Sequence, residues 1–237
     1  MPRPDCGVAK FAIPTVGRIA SVTVAVKAVQ GAANRGGAAE GADATRRTMS
    51  QFGCAMALGA TIYSFNVDLA NSDRGIYLPL DLRVARHPSE SEAHFLTRVL
   101  AYCFEYEEGI AFSNGLSEPD EPSIAIRDLT GLLRVWIDVG APEAARLHRA
   151  AKAAPRVVVY THKDPRLLAE RLGGERIHRV EALEVYALDP AWLAALGAKL
   201  QRRMMFSLTI AEQHVYLTLG DDTMPCVIDR IAIPLKG

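Results

Sequence analysis

The sequence predicts an α/β protein in which a mixed β-sheet is flanked by helices. Short segments rich in β-branched and aromatic residues alternate with segments in which apolar residues recur every three or four positions. Between residues 132 and 160 the order is strand, helix, strand, which is typical of two parallel strands joined by a crossover helix. The composition, 49% hydrophobic and 23% charged, is that of a globular domain.

Cysteine usage and hydropathy exclude several classes of protein. The four cysteines, Cys6, Cys54, Cys103 and Cys226, form no CxxC or Cys/His spacing, which argues against a zinc site or a disulfide framework. A reducing cytoplasm is therefore the expected location. No apolar run approaches the roughly 20 residues that span a bilayer, so we expect no membrane association.

The first 55 residues differ from the rest of the chain. They are rich in Ala, Gly and Arg, have no hydrophobic period, and are predicted to be a disordered extension, an upstream reading of the frame before Met56. They hold seven Lys/Arg against three Asp/Glu, which leaves 20 basic and 24 acidic residues for the predicted domain at 56–237. A mildly acidic domain lacks the broad basic field of an avid DNA binder.

Two strands and a helix are predicted to open this domain. Segments 61–69 and 77–86 alternate as strands around a turn at 71–75. Ser89 is the predicted N-cap of an amphipathic helix ending near Gly109, with Glu92 completing a capping box. Glu90 would then lie in the first turn, where the helix dipole favours a carboxylate regardless of function.

A hairpin with acidic ends forms the predicted centre of the domain. Segments 123–126 and 132–139 flank the turn residues 128–131. Symmetric pairing places Glu121 opposite Asp138, with Asp120 one residue beyond, and opposed Cβ atoms are roughly 5 Å apart. Two such carboxylates repel each other unless a proton or a hard cation such as Mg²⁺ lies between them. A solvated strand end with no metal is the alternative interpretation.

The following helix and strand complete the predicted site. The helix begins near Pro142, ends near residue 154, and carries a basic row that is either a solvated face or a ligand contact: Arg146, Arg149 and Lys152. The strand at 157–160 should run parallel to 132–139, so Asp138 and residues 161–163 would share the sheet edge where ligands tend to bind. The rest is predicted as scaffold: helices at 165–172 and 190–202, strands at 180–188, 204–210 and 214–219, and an extended segment at 227–233.

Several motifs resemble one known family. They are MALGATIY at 56–63, ARHPSE at 85–90, DEP at 120–122, WIDVG at 136–140, and Pro142. In this combination and order they resemble the YaeQ family, a bacterial group whose fold is similar to the PD-(D/E)XK nuclease superfamily. The resemblance covers nearly all of residues 56–237 and implies a restriction-endonuclease-like core.

That resemblance implies a metal-dependent site with one departure from the nuclease pattern. Asp120, Glu121 and Asp138 would bind Mg²⁺, with Mn²⁺ as the alternative, and Glu90 would join the acidic group. The expected lysine two residues after Asp138 is replaced by Gly140. Arg146 and Arg149 would substitute for it, although an arginine cannot act as a general base. The implied catalytic residues are Glu90, Glu121, Asp138, Arg146 and Arg149.

Three functions follow from these observations. The first is a metal-dependent nuclease or phosphodiesterase with a variant site. The second is a nuclease-like protein that binds nucleic acid or a transcription-related protein partner without cleavage. The third is an unrelated activity on the same fold. The six histidines show no ligand spacing and are expected to be structural or exposed.

Overall fold

The computed structural model describes residues 59–113 and 120–234, and the predicted extension at 1–55 lies outside them. The elements in chain order are β1 (Thr61–Asn71), β2 (Ile76–Arg86), α1 (Glu92–Phe104), β3 (Ile110–Phe112), β4 (Ile124–Arg127), β5 (Leu133–Val139), α2 (Ala144–Ala153), β6 (Arg156–Thr161), α3 (Pro165–Gly173), a 3₁₀ turn (Val180–Ala182), β7 (Glu184–Ala187), α4 (Pro190–Gly197), β8 (Arg203–Ala211), β9 (His214–Leu219), β10 (Asp222–Val227) and β11 (Asp229–Arg230). These elements form a mixed α/β fold with two sheets.

The first sheet has the strand order β10-β9-β8-β1-β2. The predicted hairpins β1–β2 and β8–β9 are confirmed, and β1 also pairs in parallel with β8, which joins the two hairpins. Inward and outward side chains alternate along β8, so one face of this sheet is buried and the other is exposed.

Helix α1 lies between the two sheets and is buried on every side. All ten residues from Phe95 to Phe104 are buried, including Thr97 and Arg98. Phe95 packs on Phe65 of the first sheet, and Phe104 packs on Tyr160 of the second. The predicted amphipathic pattern was therefore wrong, because a helix covered by a sheet on each side has no solvated face.

The start of α1 also differs from the prediction. Its N-cap is Ser91, whose hydroxyl accepts a hydrogen bond from the backbone N–H of His94 at 3.2 Å, so the predicted cap at Ser89 was wrong. Glu90 therefore precedes the helix instead of lying in its first turn. The helix ends at Phe104, five residues before the predicted end.

The second sheet has the order β11-β7-β6-β5-β4-β3. Strands β5, β6 and β7 are parallel, which confirms the predicted crossover through α2, and β3, β4 and β5 form an antiparallel meander. Helices α2 and α3 cover the outer face of this sheet through a second core that contains Trp136, Leu147 and Val159. Helix α4 packs with α1 on the inner face through Trp192 and Leu193.

The register of the β4–β5 hairpin corrects one prediction. Ile124 pairs with Ile137, so Ser123, and not Glu121, lies opposite Asp138. The turn itself is as predicted: the Asp128 carboxylate accepts hydrogen bonds from the N–H groups of Thr130 and Leu132. The pairing differs from the symmetric one by two residues: the turn, in which the Asp128 N–H donates to the Leu132 carbonyl, accounts for one, and a register irregularity at Ile126–Arg127 accounts for the other.

A buried ion network joins the layers at the edge of the second sheet opposite to the carboxyl end of β5. The Glu105 carboxylate accepts hydrogen bonds from Arg156 at the start of β6, from Arg74 in the β1–β2 turn, and from the Tyr160 hydroxyl. Glu105 is 3% exposed, so these donors replace water around its charge. Across both described ranges, none of the helices is long and apolar enough to cross a membrane.

Candidate functional site

A cleft of about 520 Å³ lies at the carboxyl ends of β5 and β6. The segment before α1 and its first turn form one wall, and the start of α2 forms another. The side chains that line this cavity include Glu90, His94, Ser123, Asp138, Arg146 and His162. The volume is that of a typical small-ligand site.

Asp138 and Arg146 form the central ion pair of the cleft. The Nε of Arg146 donates to Oδ2 of Asp138 at 2.7 Å, and its Nη2 donates to Oδ1 at 2.8 Å. The Asp138 side chain is only 2% exposed, and the guanidinium lies 5.5 Å from the centre of the Trp136 ring. Hydrogen bonding to Asp138 raises the pKa of Arg146 above its already high value. Both carboxylate oxygens are therefore held by a permanent cation.

The predicted hairpin acids do not gather around Asp138. Glu121 reaches the site through its main chain, because its carbonyl oxygen accepts a hydrogen bond from Nη2 of Arg146 at 2.5 Å. Asp120 pairs with Arg149 at 3.3 Å on the surface, where the two side chains are 84% and 50% exposed. Ser123 occupies the position opposite Asp138, and its backbone N–H donates to Oδ1 at 3.3 Å.

Glu90 lies in the same cleft with a separate set of partners. Its carboxylate accepts two hydrogen bonds from Arg98, both of 2.9 Å, and Oε1 lies 2.8 Å from Nδ1 of His94. Burial alone would raise the pKa of Glu90, but the hydrogen bonds from His94 and Arg98 lower it. The Glu90 charge is therefore neutralised from inside the protein, and its bond to Nδ1 orients the His94 ring.

Two histidines meet over Gly140 at the base of the cleft. The His94 and His162 rings are perpendicular, with their centroids 5.8 Å apart. Gly140 has a φ of +90°, and a Cβ there would lie 3.5 Å from the His94 ring and 3.7 Å from the His162 ring. A Cβ at these distances would be in ordinary van der Waals contact, so the positive φ is what favours glycine at position 140, where the resemblance leads one to expect a lysine.

The residues, as arranged, do not fit the predicted Mg²⁺ site. Within residues 59–113 and 120–234, no group of three His, Cys, Asp or Glu side chains could hold a metal ion. Of the three predicted ligands only Asp138 lines the cleft, and Arg146 bonds both of its oxygens. A cation bound there would compete with the positive charge of Arg146 for the Asp138 carboxylate, so the metal assignment stays a prediction of the resemblance.

Sequence reasoning missed part of this site. It identified Asp138, Arg146 and Glu90, and it placed residues 161–163 at the same sheet edge, but it treated the histidines as structural. The signal for His162 was its position directly after a parallel strand. Ser123 and Arg98 gave no comparable signal, because their roles depend on the hairpin register and on burial of α1.

Comparisons with known proteins agree with this fold. The model of the YaeQ protein family matches residues 56–228. The uncharacterized proteins YaeQ of Escherichia coli (strain K12) and of Salmonella typhi are each 31% identical to this chain over 164 residues, which is 69% of this chain and 91% of theirs.

Two crystal structures of YaeQ proteins are also similar. The one from Pseudomonas syringae superposes with a TM-score of 0.67 at 28% identity, covering 73% of this chain and 96% of that one. The one from Xanthomonas axonopodis pv. citri gives 0.66 at 29% identity, covering 72% and 97%. The fold is thus the two-sheet α/β fold of these proteins. This chain belongs to the YaeQ family.

Proposed function

We propose that the cleft binds the phosphodiester backbone of a nucleic acid and that the protein is a nuclease-like binder that does not cleave. The observation that carries this proposal is the bidentate Arg146–Asp138 pair. It occupies the carboxylate that a metal-dependent nuclease would use for its cation. The mixed second sheet, with an antiparallel hairpin followed by a parallel strand, supports a restriction-endonuclease-like core.

The electrostatics of the cleft favour an anion. Both acidic side chains that line it are paired with arginines, Asp138 with Arg146 and Glu90 with Arg98. The remaining ionisable side chains are Lys163 and the two histidines, and the cleft also reaches the N-terminal end of α1 at Ser91. A phosphate group would meet a cation, imidazoles and a helix start in one place.

Metal-dependent cleavage needs a carboxylate that is free to hold a cation, and Arg146 bonds both oxygens of Asp138. An arginine holds and orients a phosphate, but it does not take the proton of an attacking water at neutral pH. A metal-dependent phosphodiesterase is the second candidate because Asp138 lies at the carboxyl end of β5, where the nuclease resemblance places an acid. In that candidate the cation would compete with Arg146 for the Asp138 carboxylate.

The test is oligonucleotide binding by the full chain, measured by fluorescence anisotropy with labelled single-stranded DNA and RNA. Lys163→Gln should weaken binding severalfold and reduce the slope of log affinity against log salt by about 0.7, the value for one phosphate contact on a single strand. Lys152→Gln is the matched control, because Lys152 is exposed on α2 and does not line the cleft.

Equal effects of the two substitutions would place binding outside the cleft. No binding of either oligonucleotide by the wild-type protein at low salt would refute the proposed function.

A further inference from the structure

Among the described residues that line the cleft, His162 is a buried side chain with a ring nitrogen that lacks a hydrogen-bond partner. It follows the carboxyl end of β6, lines the cavity and is 7% exposed. Its Nδ1 has no hydrogen-bond partner in the described part of the chain. Most buried polar groups in proteins are hydrogen-bonded, so this unpaired ring is a candidate to interact with a ligand. Nδ1 is itself enclosed, and a ligand would contact the ring from the side that lines the cleft.

Within residues 59–113 and 120–234, no carboxylate is bonded to His162. From α1 and the segment before it, the groups that face the cleft are His94, bonded to Glu90, and Glu90, also bonded to Arg98. From β5 and α2 they are Asp138 and Arg146, which bond each other. Next to His162 along the chain is Lys163, a cation. In the part of the chain that the structure describes, both carboxylates that line the cleft are thus already paired.

The ring is accordingly neutral in the free protein. Burial, followed by the positive charges of Lys163 and His94, lowers the pKa of His162 to about 4. An anion held against the ring would offset the positive charges of Lys163 and His94 and would supply an acceptor for an N–H group of the imidazolium. Both effects favour the protonated ring, which is the physical reason to link ligand binding to protonation.

We propose that the base of the cleft is a phosphodiester subsite in which His162 takes up a proton from solvent as the phosphate anion binds beside Lys163. This inference rests on the proposed function and adds to it the position of the phosphate and the coupling to protons. The step forms one N–H bond on the imidazole and breaks none in the ligand. Binding should therefore strengthen as the pH falls.

The probe is dimethyl phosphate, whose charge is constant between pH 4 and 8. The Cε1–H resonance of His162 is followed by NMR against pH with the probe and, separately, with sodium chloride at equal ionic strength. His162→Gln assigns the resonance, and His214→Gln, on the exposed end of β9, is the matched control. We expect the titration midpoint to rise from about 4 to above 5 with dimethyl phosphate alone. A rise of one pH unit in the His162 midpoint means that the protein with a protonated ring binds dimethyl phosphate ten times more tightly than the protein with a neutral ring.

Two outcomes would overturn the inference. If dimethyl phosphate shifts other cleft resonances while the His162 midpoint stays at about 4, the subsite assignment is wrong and the proposed function stands. If neither dimethyl phosphate nor the oligonucleotides perturb the cleft, the inference fails together with the proposed function. The wild-type titration decides between these outcomes even if His162→Gln does not fold.

Discussion

Asp138 shows how a side chain singled out by the sequence can be predicted correctly in position but not in its partners. It lies at the carboxyl end of β5, faces the cleft and is almost fully buried. Its charge is balanced inside the protein by Arg146, which stacks against Trp136 and also bonds the Glu121 carbonyl. The guanidinium therefore supplies the positive charge beside Asp138 that the sequence analysis assigned to a metal ion.

Removal of Arg146 should destabilise the fold. Arg146→Ala leaves the buried Asp138 charge unpaired, and we expect a loss of about 3 kcal/mol in the free energy of unfolding, at the lower end for buried pairs because Arg146 is 22% exposed. Urea unfolding measures this loss.

Arg149→Ala is the matched control for that substitution. It lies on the same helix and breaks only the exposed pair with Asp120, which should cost less than about 1 kcal/mol. Similar losses for the two variants would contradict the central role given to the Arg146–Asp138 pair.

At the scale of elements, the hairpin shows how far the sequence predicts a site. The strands, the Asp128 turn and the parallel pairing of β6 follow from local patterns, and all were predicted. The residue that lies opposite Asp138 in the hairpin was not predicted correctly. It depends on the irregular pairing near Ile126, which no local pattern encodes. A shift of two residues keeps the same face of the sheet but replaces Glu121 by Ser123 opposite Asp138.

Helix α1 shows a second limit of local patterns. The apolar residues predicted a helix with one buried face, yet Thr97 and Arg98 are buried as well. The reason is tertiary: the first sheet, whose strands come from both ends of the domain, covers the side of α1 that would otherwise be exposed. Arg98 is tolerated there because Glu90 pairs with it, which in turn fixes one wall of the cleft.

The connection from α1 to β3 depends on Gly109. Its φ is +89°, and a Cβ would lie 2.0 Å from the carbonyl oxygen of Arg127 on β4. Gly109→Ala should therefore lower the free energy of unfolding by about 3 kcal/mol. The alanine would have to adopt a strained φ, and the backbone at Arg127 would also have to move away from its Cβ. Thermal unfolding followed by circular dichroism measures the loss.

Gly75→Ala separates the two causes. Gly75 also has a positive φ, of +67°, but a Cβ there would meet no atom within 4 Å. The strain alone should cost about 1 kcal/mol. If both variants lose the same stability, the close approach to Arg127 is not what requires glycine at position 109.

For the whole molecule, the charge balance predicts weak long-range attraction of a polyanion, so that the proposed binding would depend on contacts inside the cleft. The chain has equal numbers of acidic and basic residues, and residues 56–237 are slightly acidic. Long-range attraction of a polyanion is therefore weak, and affinity would come from the few donors inside one cleft. In the two-sheet fold that resembles the YaeQ proteins of known structure, His94 lies on α1, Arg146 lies on α2, and His162 and Lys163 follow β6 directly.

The most direct test of this account is calorimetric titration of Mg²⁺ and Mn²⁺ into the wild-type protein and Asp138→Asn, followed by incubation with single- and double-stranded DNA and RNA. Because Arg146 holds both oxygens of Asp138, we predict no metal uptake that depends on Asp138 and no metal-dependent cleavage. Uptake of a divalent ion by the wild-type protein that is lost in Asp138→Asn, together with strand cleavage, would contradict the account and establish the metal-dependent nuclease instead.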